Sequence, residues 1–123
     1  MKQLIYVFIG GGVGSLLRFW LSNYTQKFCQ LHHFPIGTLV VNILGCFIMG
    51  LLSSCINVNS TSLRLLLMIG FCGGFTTFST FSAESISLLQ EGSVITMFLY
   101  IVLSLILGFF AFVLGMNIIN KVY

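Results

Sequence analysis

The sequence predicts an all-α membrane protein with four transmembrane helices, of which the third is broken near its middle. Of the 123 residues, 58% are hydrophobic and only 6% are charged, and the mean hydropathy is +1.10. Water-soluble domains carry about a quarter charged residues, so this composition excludes a soluble fold. A membrane-spanning helix needs about 20 mostly apolar residues. The chain therefore has room for four spans and short connections, which we expect to form a single transmembrane domain over residues 1–123.

Polar connections separate the four apolar runs. We expect helices at about residues 4–22, 36–56, 63–89 and 94–119, joined by connections at 23–34, 57–62 and 90–93. The connections contain the turn-forming polar and glycine residues that end helices. The first run is expected to be a retained helix and not a cleaved signal peptide, because it shows no clean small-residue cleavage site.

Small and polar residues recur at one-turn spacing along three of the helices. Helix one carries Gly10, Gly14 and Arg18 in this way, and helix four carries Tyr100, Ser104 and Gly108. Helix two carries Thr38, Asn42, Cys46 and Gly50. Small residues at this spacing let helices approach closely in lipid, so packing alone is one interpretation of the glycines, and a functional role is the other. Asn42 is different, because a carboxamide near the bilayer centre needs polar partners and favours a functional role.

The third run contains the least lipid-like segment of the chain, GFCGGFTTFSTFS at residues 70–82. Paired glycines, hydroxyls and phenylalanines here predict an interruption of the helix, and Gly73 is expected to need dihedral angles that other residues avoid. Within hydrocarbon, an interruption is tolerated only where protein buries it or where it lines a polar cavity. The segment therefore predicts an internal site for a polar species, in particular an ion.

The residues alone leave the sign of that ion open. Phe78 and Phe81 share one helix face, and the positive edges of their rings, with the Asn42 amide, suit a small anion. Carbonyl oxygens freed between Gly73 and Thr77 suit a hard cation. The phenylalanines are also open to a simpler interpretation as ordinary lipid or core contacts.

The few charges bear on orientation and on the excluded classes. Lys2, Arg64 and Lys121 lie on one side of the predicted topology, and Arg18 and Lys27 lie on the other. This near balance permits insertion in both orientations and an antiparallel homodimer. So few charges predict a protein in contact with membrane lipid and no nucleic-acid partner.

The sequence gives little indication of catalysis or of metal binding by side chains. Glu84 is the only candidate base within the spans, which contain no histidine, so we expect no enzyme. Cys29, Cys46, Cys55 and Cys72 are too far apart for a zinc pattern. His32 and His33 are expected to lie in a solvated connection.

Three segments together resemble the small fluoride channels of the CrcB/Fluc family. These segments are GGGVGSLLR at residues 10–18, GTLVVNILGCF at 37–47 and the interrupted segment at 70–82. They occur in the order and at the spacing of that family. The resemblance implies a dual-topology antiparallel homodimer with two pores, which conducts fluoride passively out of the cytoplasm across the cell inner (plasma) membrane.

The resemblance also implies roles for particular residues. Phe78 and Phe81 would contact fluoride with their ring edges, and Asn42 would be the pore asparagine. Gly73 and Thr76 would offer backbone carbonyls to a structural sodium ion (Na+) between the subunits. Arg18 would lie at an aqueous vestibule and Glu84 near a pore end. Further polar pore residues would be Thr38, Ser79, Thr80, Tyr100 and Ser104, whereas Gly108 stands where some members have a hydroxyl.

Two other functions compete with a fluoride-selective channel. A small four-helix multidrug exporter needs a carboxylate in its first helix, and residues 4–22 contain none. A membrane assembly subunit without transport of its own gives no reason to interrupt the third helix.

Overall fold

The computed structural model describes residues 1–29, 33–57 and 59–122, and its regular structure there is entirely helical. We label the helices α1 (Lys2–Phe28), α2 (Ile36–Cys55), α3 (61–75), α4 (Ser79–Gln90) and α5 (Val94–Val122). Helix α3 begins as an α-helical turn at Thr61–Leu63, widens to a π-helix over Arg64–Cys72 and ends as an α-helical turn at Gly73–Phe75.

Four helical spans are long and apolar enough to cross a membrane. They are Lys2–Phe28, Ile36–Cys55, Thr61–Gln90 and Val94–Val122, and the third of them contains both α3 and α4. This confirms the predicted all-α class and the number of spans.

Helix α1 is longer than predicted. It continues through Phe28, so the expected end at Ser22 is wrong, whereas the other helix ends lie close to their predicted positions. The added turns carry a ladder of stacked rings, with centroids 5.7 Å apart for Trp20 and Tyr24 and 6.0 Å apart for Tyr24 and Phe28. The Thr25 hydroxyl also donates to the Leu21 carbonyl oxygen at 2.8 Å. These contacts between successive turns stabilise the helix beyond its apolar part.

Glycines bring α1 against α3 at backbone contact. A Cβ atom added at Gly10 would overlap the Leu66 carbonyl oxygen, and one at Gly14 would overlap that of Phe71. Both neighbours are main-chain atoms, which cannot turn away as a side chain can. The interpretation of Gly10 and Gly14 as packing residues is therefore confirmed.

Helix α2 packs against α5 in the same manner. A Cβ at Gly50 would overlap the Phe112 carbonyl oxygen, and one at Gly115 would overlap that of Phe47. At Gly108 the fit is looser, because an added Cβ would lie 3.5 Å from the Cys46 Sγ atom, an ordinary contact distance.

A tight turn reverses the chain between α4 and α5. Gly92 has a positive φ of 82°, and the Ser93 and Gly92 amides donate to the carbonyls of Leu88 and Leu89 at 2.9 and 3.1 Å. This is a Schellman cap, in which glycine takes the left-handed conformation without steric cost. The cap sets the direction in which α5 returns along α4.

The contact between α1 and α3 leads to a matched pair of substitutions. Gly14→Ala would force the two backbones apart, and overpacking of this kind costs about 1–3 kcal/mol. Gly12→Ala is the control, because a Cβ there meets nothing within 4 Å. We expect the Gly14 variant to show a lower melting temperature and a lower yield of monodisperse protein in detergent. Equal melting of both variants and the wild type would contradict this packing.

Candidate functional site

The carboxamide of Asn42 on α2 forms two hydrogen bonds with the main chain of Thr77, which lies between α3 and α4. Helix α3 ends at Phe75, Thr76 is extended at φ −85° and ψ 158°, and α4 begins at Ser79. The Thr77 amide donates to Asn42 Oδ1 at 2.8 Å, and Asn42 Nδ2 donates to the Thr77 carbonyl oxygen at 3.0 Å. A side chain of α2 thus replaces the hydrogen bonds that a continuous helix would give Thr77.

The side chain of Thr77 caps the start of α4. Its Oγ1 atom accepts a hydrogen bond from the Thr80 amide at 3.2 Å and lies 3.3 Å from the Ser79 hydroxyl. The first amides of a helix have no partner within it, and a threonine hydroxyl at the start satisfies one of them. The capping hydroxyl allows α4 to begin inside the span with this amide satisfied.

Because Asn42 and the Thr77 hydroxyl accept hydrogen bonds from two main-chain amides, two carbonyl oxygens of α3 and its end lose their helical donors. In a continuous α-helix the Thr77 amide would donate to Gly73, and the Thr80 amide would donate to Thr76. Here both amides donate to side-chain oxygens instead. The Thr76 hydroxyl turns back to the Cys72 carbonyl oxygen at 2.7 Å. The carbonyl oxygens of Gly73 and Thr76 are therefore relieved of these bonds, and hard oxygens of this kind suit Na+ chemically.

The expectation of unusual dihedral angles at Gly73 is wrong. Gly73 has φ −63° and ψ −37°, which are ordinary helical values. The residue is exposed, and a Cβ there would meet nothing within 4 Å in the single chain. The interruption falls instead at Thr76, whose extended backbone is accessible to any residue.

Glu84 joins three helices through its two carboxylate oxygens. The Thr38 hydroxyl on α2 donates to Oε1 at 2.8 Å, and the Tyr100 hydroxyl on α5 donates to Oε2 at 2.8 Å. Thr38 is buried, and Tyr100 is fully buried. Hydrogen bonds to a charged acceptor are stronger than neutral ones, so this cluster fixes α4 between its neighbours.

An aromatic row runs beside the interruption. Ring centroids lie 5.8 Å apart for Phe78 and Phe81 and 5.1 Å apart for Phe81 and Tyr100. Phe34 meets Tyr100 edge-on at 5.7 Å. Phe78, at the open end of the row, is 80% exposed in the single chain.

Three open cavities adjoin one another along these residues. The mouth cavity, of about 360 Å³, is lined by His33, Thr38, Glu84 and Glu91 among others. The vestibule cavity, of about 200 Å³, is lined by Arg18, Thr38, Thr77 and Thr80 among others. The aromatic cavity, of about 270 Å³, is lined by Asn42, Cys46, Thr76, Thr77, Phe78, Phe81, Ser104 and Leu105. Thr38 is common to the first two cavities, and Thr77 is common to the last two.

Most predicted site residues thus come together around these cavities. Ser104 Oγ is buried, and no residue of the described ranges accepts or donates a hydrogen bond to it. Ser79 contacts the Thr77 hydroxyl, and Arg18 is half-buried in the vestibule cavity. Tyr100 lines none of the three cavities and reaches the site through Glu84 and Phe81.

Sequence reasoning missed Thr77 as a separate functional candidate. The signal was present, because a threonine shortly before an amphipathic helix is a favoured capping residue. The described cysteines form no disulfide, and residues 1–29, 33–57 and 59–122 contain no cluster of three metal-binding side chains. His33 is exposed, and its Nδ1 atom lies 3.4 Å from Glu91 Oε2. His32 lies outside the described residues.

Fold and site define a multi-pass membrane protein whose polar side chains line adjoining cavities around an interrupted span. Comparison with known proteins agrees with this class. The family model described as CrcB-like protein, Camphor Resistance (CrcB), matches residues 5–116. The chain belongs to the CrcB family.

Similar proteins extend over almost the whole chain. A protein of Phocaeicola vulgatus is 49% identical over 120 residues, which cover 94% of this chain and 96% of the relative. A protein of Flavobacterium psychrophilum is 42% identical, with 98% and 99% covered, and one of Bacteroides fragilis is 42% identical, with 94% of each covered. All three relatives are named fluoride-specific ion channel FluC. These names confirm the expected family and the prediction of a non-enzymatic protein.

Proposed function

We propose that this chain forms a fluoride-selective channel that lets fluoride leave the cytoplasm passively. The observation that carries the proposal is the aromatic cavity, in which Phe78, Phe81, Asn42 and Ser104 meet beside the interrupted span. The names of the similar proteins support the same ion.

The groups around the aromatic cavity offer hydrogen to an ion. Phenyl rings have positive edges, and Asn42 Nδ2 carries two hydrogens, of which the Thr77 carbonyl oxygen takes one. The Ser104 hydroxyl is buried and has no partner among the described residues. Donors without a full positive charge favour a small anion and still let it leave.

The vestibule cavity adds a positive charge at the entrance. Arg18 is half-buried and lines this cavity together with Thr80, which is exposed in the single chain, and no residue in the described ranges forms an ion pair with Arg18. Its guanidinium raises the local concentration of anions. Glu84, by contrast, lines the mouth cavity and not the aromatic cavity, and its carboxylate accepts hydrogen bonds from Thr38 and Tyr100.

Passive conduction fits better than coupled export. Helix α1 contains no carboxylate with which to couple export to protons. An assembly role gives no purpose to the adjoining cavities or to the Ser104 hydroxyl, which has no hydrogen-bond partner within residues 1–29, 33–57 and 59–122. Both alternatives predict that purified protein carries no fluoride.

We propose that the functional unit is an antiparallel homodimer. Gly73, Phe78, Ser79 and Thr80 are exposed in the single chain although they lie midway along the third span. Lipid cannot satisfy polar groups at such a position, so protein or water must cover them. A second copy covers them, and the near balance of Lys and Arg permits it to insert in the opposite orientation.

We further propose that a structural Na+ binds between the two copies. Its ligands would be the carbonyl oxygens of Gly73 and Thr76, whose helical partners are displaced. The ion would supply fixed positive charge against which carbonyl oxygens of both subunits pack. The whole assembly would lie in the inner (plasma) membrane as one four-helix domain per chain, covering residues 1–123.

Replacement of the phenylalanines tests the ion pathway. Phe78→Ile and Phe81→Ile keep an apolar side chain but remove the positive ring edge, so we expect each to lower fluoride efflux from liposomes at least tenfold. Phe110→Ile is the control, because Phe110 is 66% exposed and lines none of the three cavities. Wild-type protein should pass fluoride and not chloride. Wild-type efflux from both cavity variants, in well-folded protein, would contradict the pathway.

Gly73 provides a test of the dimer. A side chain at Gly73 meets no atom within 4 Å in the single chain, so Gly73→Val leaves the protomer unstrained but obstructs a second copy. We expect this variant to elute as a monomer in detergent and to lose fluoride efflux, whereas Gly12→Ala stays dimeric. A dimeric, active Gly73→Val protein would contradict an interface at this position.

A further inference from the structure

Thr77 stands where the vestibule cavity and the aromatic cavity meet. Among the described residues it alone lines both cavities. It is only 8% exposed, so its polar atoms face these cavities and their walls and not open solvent. Thr77 is therefore the residue that joins the cavity of Arg18 to the cavity of the phenylalanines.

The surroundings of Thr77 leave its hydroxyl able to donate into the cavities. The Thr80 amide donates to Oγ1 at 3.2 Å, so one lone pair of the oxygen is occupied. The Thr77 hydroxyl has one hydrogen to donate. The Ser79 hydroxyl oxygen lies 3.3 Å from Thr77 Oγ1, and either hydroxyl can be the donor of this pair. When the Ser79 hydroxyl donates to Thr77 Oγ1, both lone pairs of that oxygen are occupied and the Thr77 hydrogen is left for a ligand in the cavity.

The main chain of Thr77 makes this passage rigid. Asn42 holds both its amide and its carbonyl, at 2.8 and 3.0 Å. The residue cannot move aside for a larger ion without breaking these bonds, and an unpaired buried amide or carbonyl costs about 1–3 kcal/mol. The point where the two cavities meet therefore has a rigid wall that carries a hydroxyl.

We propose that the Thr77 hydroxyl donates a hydrogen bond to the anion at the passage between the two cavities and contributes to the selection of small, strongly accepting anions. This assignment rests on the proposed fluoride channel. It gives Thr77 a role in anion contact as well as in capping α4.

Three substitutions separate contact from capping. Thr77→Val removes both the donor and the cap in a side chain of equal shape. Thr77→Asp keeps an oxygen that caps α4, since Asp is a strong capping residue, but when ionised it presents no donor and its negative charge repels an anion in the cavity. Thr77→Ser keeps both functions. Ser85→Ala is the control, because the Ser85 hydroxyl on α4 donates to the Phe81 carbonyl oxygen and lines none of the three cavities.

The readout is fluoride and chloride efflux from liposomes. Dimer elution and melting temperature are measured on the same preparations. We expect Val and Asp at position 77 to lower fluoride efflux at least tenfold, and Ser at that position and the Ser85 control to stay within threefold of wild type. Near-normal efflux of the Asp variant would reduce Thr77 to a cap and overturn the proposal. If the Val variant does not fold, the Asp and Ser variants decide alone. Wild-type protein that carries no fluoride would overturn the proposed function itself, whereas a conducting wild type with conducting Val and Asp variants overturns only the role of Thr77.

Discussion

The paired hydrogen bonds between the Asn42 carboxamide and the main chain of Thr77 are the interaction on which the site depends. Within hydrocarbon an unpaired amide or carbonyl costs several kcal/mol, so a span can be interrupted only where something replaces the lost bonds. Asn42 supplies one donor and one acceptor at matching positions. Because the carboxamide has the same donor and acceptor pair as a peptide group, a side chain of α2 substitutes for a turn of helix.

The other features of the site follow from this exchange. Once the Thr77 amide bonds to Asn42, the Gly73 carbonyl loses its helical partner, and once Thr77 caps α4, the Thr76 carbonyl loses its own. The new helix begins at Ser79 and carries Phe81 and Glu84 toward α5. Glu84 then bonds Thr38 and Tyr100, which fixes α4 between α2 and α5.

The scaffold around the site is stiff because its helices touch through main-chain atoms. Gly10 and Gly14 bring α1 against α3, and Gly50 and Gly115 bring α2 against α5. Apolar association gives little driving force between helices in lipid, so such close packing is a main source of stability there. The exception is Gly108, where the helices leave space beside Cys46.

Much of this arrangement is legible in the sequence. The apolar runs predict the four spans, one-turn spacing identifies Gly10, Gly14 and Gly50 as contact residues, and Asn42 stands out because an intramembrane amide requires partners. Family resemblance selects the remaining site residues, and their roles in conduction stay predictions. The actual partner of Asn42 is a main-chain segment far along the chain, which no local pattern reveals.

The misses have physical causes. The polar residues after Ser22 predict the end of α1 there, yet helical hydrogen bonds and the ring ladder of Trp20, Tyr24 and Phe28 continue the helix. Gly73 was expected to be strained because glycine permits unusual dihedral angles, but its backbone is helical and its open side faces away from the chain. The sequence indicates Thr77 as a cap, but its place in two cavity walls depends on the positions of α1 and α2, which no local pattern gives.

Residue-resolved amide hydrogen exchange by NMR, on wild type and Asn42→Ala in the same micelles, tests the central claim most directly. If Asn42 replaces the helical partner of Thr77, the Thr77 amide is protected in wild type and exchanges at least tenfold faster in the variant. The amides of α1 that face α3 serve as an internal reference and keep their protection. Unchanged protection of Thr77 in Asn42→Ala would contradict the account, since the amide would then have a partner other than the carboxamide.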